Sequence, residues 1–271
     1  MVKLKLNNGV EMPLVGLGTY KAIGNEVYEA VKTALEVGYR HIDTARLYDN
    51  EVEVGRAIKD SGIPREEIFV TTKVWTTDLG YEKTKQAFQE SLDRLQLDYV
   101  DLFLLHWPKS YQLNRESWKA LEELYFEGKV RAIGLSNYQI HHLEDLLKVA
   151  TVIPAVNQVE LHPGLQQHPL QEYCMGKGIY LIAHSPLARG KVFEMEGLKE
   201  IATKYNKSVA NVVVRWGIQR KIFMIPKSVN PNRIKENFQV FDFELTEEDM
   251  AKIFELHNGK RIGTDPDNMY R

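Results

Sequence analysis

The regular alternation of short apolar runs with longer amphipathic stretches most limits what this chain can fold into. The runs occupy residues 14–17, 39–42, 68–74, 100–105, 130–135, 155–159, 179–183 and 222–225, each rich in Val, Ile, Leu or aromatics. The run VDLFLLH is almost continuously apolar, as expected of a strand buried on both faces. Between the runs lie helical patterns at 25–37, 81–95, 115–127, 143–149, 171–177 and 209–220; the first has apolar residues at 27, 30, 31, 34, 35 and 37, one face of a helix. Gly38, Gly62, Gly128 and Gly178 stand where helices should end. In front, KLKLNNGVEM reads as a hairpin turning at Asn7-Asn8-Gly9. Eight strand–helix units behind a hairpin predict an α/β fold, a (β/α)8 TIM barrel over residues 1–271 as a single domain, with the hairpin capping the barrel bottom. The rival is a doubly wound open sheet, which calls for G-x-G-x-x-G after an early strand. Here Gly16-Leu17-Gly18-Thr19-Tyr20-Lys21 lacks the third glycine, and no acidic ribose partner follows at the right distance.

Composition narrows the partners. Lys plus Arg is 35 against 37 for Asp plus Glu, a net charge of −2, so neither nucleic acid nor an anionic membrane is expected to bind. The single Cys174 excludes an intramolecular disulfide. No apolar stretch is long enough for a bilayer, and the N-terminal residues lack the apolar core of a secretory signal. A cytoplasmic location is the expectation, and with no oligomerisation motif in the sequence a monomer is the default.

A barrel enzyme carries its site at the C-terminal ends of its strands. Those ends are chemically rich here: Asp43 with Tyr48 five residues on, Lys73, His106-Trp107, Ser136-Asn137, Gln158 and Glu160, His184-Ser185, and Pro226-Lys227-Ser228. A phenol with a pKa of about 10 is a poor acid near neutrality; an adjacent ammonium favours the phenolate and pulls that value down. Asp43 would hold Lys73 in place, and a neutral His106 would orient a carbonyl oxygen. These four side chains can protonate a carbonyl, but none supplies hydride, so a cofactor is required. In the stretch IPKSVNPNRIKEN, Lys227, Ser228 and Arg233 lie near an expected helix start, whose free N–H groups would add an anion site suited to a 2′-phosphate. On spacing alone a solvated basic helix start explains the same residues.

GYRHIDTARLYDNE, VDLFLLHWP and IPKSVNPNRIKEN, in that order and joined by VRAIGLSNY, AVNQVELHP and SPLARG, resemble the aldo-keto reductases over essentially the whole chain. The likeness is greatest to the compact microbial and protozoan members of diketogulonate reductase, methylglyoxal reductase and prostaglandin F synthase type. The resemblance implies an NADP-dependent oxidoreductase that reduces aldehydes and ketones. It implies Tyr48 as general acid, with Lys73, Asp43 and His106 completing the catalytic set. Gly18, Thr19, Asp43, Ser136, Asn137 and Gln158 would meet the nicotinamide side of NADPH, and Ser185, Leu187, Arg189 and Gly190 the pyrophosphate. Lys227, Ser228, Val229 and Arg233 would meet the adenosine phosphate, and Glu236 and Asn237 the adenine. Tyr20, Tyr48, Trp75, His106 and Trp107 would face the substrate. The chain departs from the family at His184, where an aromatic usually stacks on the nicotinamide; imidazole offers less apolar area, so weaker cofactor binding is expected. A short stretch after His106 and a short C-terminus imply an open, permissive pocket. The alternative within the family is a cofactor-sensing subunit with weak turnover.

Other histidines read as structural. His41 lies within a strand, His162 and His168 flank a loop without a cysteine partner, and His141-His142 are neighbours whose side chains should diverge from a solvated helix face. No metal is expected. Cys174 reads as a packed small residue.

Overall fold

The computed structural model describes residues 2–269. A hairpin of β1 (Lys3–Lys5) and β2 (Glu11–Pro13) turns through Asn7–Gly9, with Gly9 at φ +87°. Then come β3 (Leu17–Gly18), α1 (Gly24–Val37), β4 (His41–Asp43), α2 (Glu51–Asp60), β5 (Phe69–Val74), α3 (Tyr81–Leu95), β6 (Val100–Leu105), α4 (Tyr111–Phe126), β7 (Val130–Ser136), α5 (Ile140–Leu146) and β8 (Val156–Glu160). The chain continues through α6 (His168–Gly176), β9 (Tyr180–His184), α7 (Glu196–Tyr205), α8 (Val209–Gln219), β10 (Phe223–Met224), α9 (Pro231–Phe238) and α10 (Glu247–Phe254).

Strands β3 to β10 form one parallel sheet in sequence order. The first and last close on each other: the Met224 amide donates to the Leu14 carbonyl at 2.8 Å, that of Gly16 to Met224 at 2.9 Å, and that of Gly18 to Pro226 at 3.2 Å. The early glycines serve this closure, not a phosphate turn. A Cβ on Gly16 would stand 2.3 Å from the His41 ring inside the barrel, and one on Gly18 would stand 2.9 Å from the Ile225 carbonyl.

The hairpin plugs one end. Leu6, Met12 and Leu14 join Phe69, Leu102, Leu104, Val156, Ile182 and Phe223 in one buried cluster. Asn7 and Asn8 tie the turn to the Pro154 and Arg131 carbonyls, each at 2.9 Å. A second, larger cluster fills the space between barrel and helices. Among the described residues no helix is long and apolar enough to cross a membrane.

Candidate active site

Successive residues of a strand face opposite ways, so each strand contributes one inward column. The columns change character along the barrel axis. Near the hairpin they are apolar: Phe69, Leu102 and Leu104, Ala132, Val156, Ile182, Phe223. At the strand C-termini the same columns reach Asp43, Lys73, His106, Ser136, Gln158 and Glu160, His184 and Lys227, and all but Lys73 line a cavity of about 910 Å³. Lys73 is fully buried behind that wall.

Lys73 Nζ lies 2.6 Å from Asp43 Oδ1, donates to the Thr44 carbonyl at 2.8 Å, and sits 3.4 Å from the Tyr48 oxygen. Gln158 donates its amide to the other Asp43 oxygen at 2.7 Å. Burial pushes Asp43 up and Lys73 down, both against ionisation; the short contact, with the Thr44 and Gln158 bonds around it, keeps the pair charged. Tyr48 is presented by a 3-10 turn over Arg46–Tyr48, and Asn50 locks the loop behind it. Asn50 accepts from the Thr44 hydroxyl at 2.6 Å and donates to the Thr19 and Ala22 carbonyls.

The sequence reading expected Lys73 to lower the Tyr48 pKa. Instead burial, followed by the charge of Asp43 and the neighbouring Tyr20, holds the phenol well above its ordinary value. Tyr48 therefore keeps its proton at neutral pH, and releasing it depends on Lys73, 3.4 Å away, steadying the phenolate that forms. Burial, reinforced by Lys73 and His184, holds His106 neutral. Its ring meets Tyr48 and Trp75 edge-on at 5.6 and 5.2 Å between centroids, and its buried Nδ1 has no hydrogen-bond partner among the described residues.

Next to His106, Asn137 takes a left-handed backbone (φ +65°) and donates to the His106 carbonyl at 3.0 Å and to Ser136 Oγ at 3.1 Å. Its Oδ1 faces His184 Nε2 at 2.9 Å. Because both amide hydrogens are spent elsewhere, His184 must be the donor, which assigns its proton to Nε2. Burial lowers the His184 pKa to about 4, so the ring is neutral. Position 184 thus carries a hydrogen bond as well as a ring face.

At the other end of the cavity lie Lys227, Ser228, Arg233, Glu236 and Asn237. The expected anion site at the α9 start needs correction. Pro231 has no N–H, and the Asn230 side chain accepts from the Asn232 and Arg233 amides at 3.0 and 3.2 Å. The cap consumes the free amides, which leaves the side chains of Lys227, Ser228 and Arg233 for an anion.

Gly18, Thr19, Tyr20, Trp75, Trp107, Ser185, Leu187, Arg189 and Gly190 also line the cavity. Val229 does not; it packs against the core edge. Sequence reasoning missed Leu47, Phe193, Gly263, Thr264 and Met269 on the cavity wall, and Asn50 behind it. Asn50 sits in the YDNE run beside Tyr48, a usable signal; the 263–269 segment has no periodicity to reveal it.

The expectation for His141-His142 also changes. Their rings lie 4.0 Å apart and turn together toward Asp267 Oδ1, at 3.3 and 4.0 Å. The trio has the residue types of a metal site. However, His142 Nδ1 accepts from the Gln139 amide at 3.1 Å, so the neutral ring keeps its proton on the Nε2 a metal would need. His41 is a packing residue, bonded to Thr71 at 3.0 Å. Cys174 is buried, its thiol pushed up to about 12.

The sequence pattern of the Aldo/keto reductase family matches residues 15–258. The chain is 55% identical over 267 residues to the glyoxal reductase of Bacillus subtilis (strain 168), covering 98% of this chain and 96% of that one. It is 54% identical over 269 residues to the 9,11-endoperoxide prostaglandin H2 reductase of Trypanosoma cruzi (strain CL Brener), covering 98% and 95%. Among solved structures, an aldo-keto reductase enzyme from a Medee basin deep-sea metagenome library matches with a TM-score of 0.97 at 53% identity over all of both chains. A mutant of Gox0644 in complex with NADPH matches with a TM-score of 0.95 at 40% identity, covering 100% and 99%.

Proposed function

The chain belongs to the aldo/keto reductase family, and from that premise we propose that it reduces small aldehydes and ketones to alcohols with NADPH, Tyr48 giving the proton. The observation that carries the reading is the Asp43–Lys73–Tyr48 chain, 2.6 and 3.4 Å long, which runs from the buried ion pair to half-buried Tyr48 and opens beside neutral His106 into the cavity.

The residues present fit the cofactor. Asn137 Oδ1 keeps a second lone pair, and Gln158 keeps its Oε1 and a second N–H, for a carboxamide at this end of the cavity. Lys227, Ser228 and Arg233 offer two cations and a hydroxyl to a phosphate at the far end. When bound, NADPH supplies the hydride. The protein supplies the rest. Tyr48 donates to the carbonyl oxygen as negative charge develops there. The Lys73 ammonium stabilises the phenolate this leaves, and Asp43 keeps the ammonium aimed. His106 orients the same oxygen, while Tyr20, Leu47, Trp75 and Trp107 give the cavity an apolar wall. The relatives' names, one a glyoxal reductase and one a prostaglandin H2 reductase, support a permissive range. The reading includes one domain over residues 1–271, since no linker or composition shift divides the chain, and a cytosolic monomer, the single Cys174 fitting a reducing compartment.

The test is loss of reduced-nicotinamide absorbance with NADPH or NADH and a panel of aldehydes, for wild type and Arg233→Ala. Turnover that prefers NADPH is expected, with a loss of NADPH affinity of about 10-fold or more in Arg233→Ala, the size of one charge-assisted bond. Folded protein that binds NADPH but reduces nothing points to the sensor role. An unchanged preference in Arg233→Ala removes that residue from the phosphate site.

A further inference from the structure

Residues 261–269 form an irregular strap across the barrel mouth, yet three of them, Gly263, Thr264 and Met269, line the active cavity. The strap is held at two points. The first is Glu160, the last residue of β8, which is almost fully buried. Its carboxylate accepts from the Ile262 amide at 2.6 Å and the Gly263 amide at 2.8 Å, with His162 Nε2 3.1 Å away as a third partner. The second is Asp267, facing His141 and His142.

The first contact binds two liabilities together. A buried carboxylate is costly unless donors surround it, and two of its three donors come from the strap. Burial alone would raise the Glu160 pKa, but the His162 bond and then the two strap amides bring it well below the usual carboxylate range. Conversely, irregular backbone has no ladder to satisfy its amides, and charge-assisted bonds are about twice as strong as neutral ones. Residue 263 is suited to the contact, because a Cβ there would stand 2.8 Å from Glu160 Oε2. None of the Glu160 bonds reaches Asp43, Tyr48 or Lys73.

We propose that Glu160 is a positioning residue that clamps the strap to the barrel rim, fixing Thr264 and Met269 as one wall of the substrate cavity and so limiting the size of the carbonyl compound that enters. The proposal rests on the reductase reading of the same cavity.

Two variants weaken the clamp in different ways. Glu160→Gln keeps the shape but replaces one acceptor oxygen with a donor, so one strap amide loses its partner. Gly263→Ala leaves the carboxylate and crowds it. Amide exchange by NMR on the protein without substrate should find Ile262 and Gly263 at least about ten-fold slower than Thr264 in the wild type, and this protection lost in both variants. The ratio of kcat/KM for a bulky aromatic aldehyde over glyoxal should rise about five-fold or more in both. If Glu160→Gln fails to fold, Gly263→Ala carries the test.

Fast exchange at Ile262 and Gly263 in the wild type overturns the clamp. A ratio unchanged in variants that have lost protection overturns its role in substrate size. Equal losses with every aldehyde, together with lost NADPH affinity, would assign Glu160 to the cofactor and also overturn it. Slow amides in a chain that reduces no aldehyde sink the reductase reading while supporting the clamp.

Discussion

At position 184 the chain places an imidazole where an aromatic ring was expected, and two physical arguments pull in opposite directions. On apolar area, His184 stacks less well than tyrosine and weakens cofactor binding. On geometry, its Nε2–H holds Asn137 Oδ1 at 2.9 Å and so fixes the amide beside the catalytic group. Losing one hydrogen bond costs about 1 kcal/mol. We therefore expect His184→Phe to bind NADPH several-fold more weakly in a fluorescence titration; tighter binding would show that ring area dominates. Asp43, Lys73 and His106 were legible in the sequence because a period of two fixes which strand-end residues face inward. The direction of the Tyr48 shift was not, because burial depends on Tyr20 and the loop locked by Asn50. The anion site at the α9 start was misread because Asn230, three residues before Arg233, caps its own helix.

Helix α2 shows where element-level reading stopped. EVEVGRAIKD alternates at its start like a strand and carries a glycine, so the sequence assigned it nothing. In the structure Glu51, Val54, Ala57 and Ile58 form a buried helical face, and Gly55 lets α3 approach so closely that a Cβ would stand 2.0 Å from the Leu95 carbonyl. Glu51 then reaches Thr72 and Arg94, tying α2 to β5 and α3 beside Lys73. Gly55→Ala must push two helices apart and should cost about 1–3 kcal/mol, as overpacking does, read as a lower urea midpoint. A midpoint equal to wild type would mean the helices part freely. From β5 to β10 the strands fall within a residue of the expected bounds, because Val, Ile and Leu runs buried on both faces leave little ambiguity, while β3 and β4 begin three and two residues later than expected. α4 begins at Tyr111, four residues before its apolar period, because Ser110 accepts from the Leu113 amide and caps it. Helices α7 and α10 were missed.

Across the whole molecule, the barrel buries neutral imidazoles inside. Burial lowers His41 to about 3 and His184 to about 4, and puts His106 well below its ordinary value. In the unfolded chain these rings take up protons near pH 6.5, while the folded chain refuses them. Stability is therefore full above that pH and falls as acid is added, by about 2 kcal/mol at pH 5 from His41 alone. Asp43, raised by burial, works in the opposite direction at lower pH. Urea unfolding at pH 7 and pH 5 should show this loss; equal stabilities would mean that the imidazoles protonate in place. The whole-molecule arrangement, eight units behind a plug, was the most legible level, since each βα unit repeats the same inward logic. The polar strand ends of this barrel form one proton-donating site. The most direct test is kcat with NADPH and glyoxal for Tyr48→Phe against wild type, with NADPH affinity measured on both. A fall of about 10²–10⁴ in kcat is expected with affinity largely kept, the usual share of a general acid. A kcat within a few-fold of wild type would contradict it.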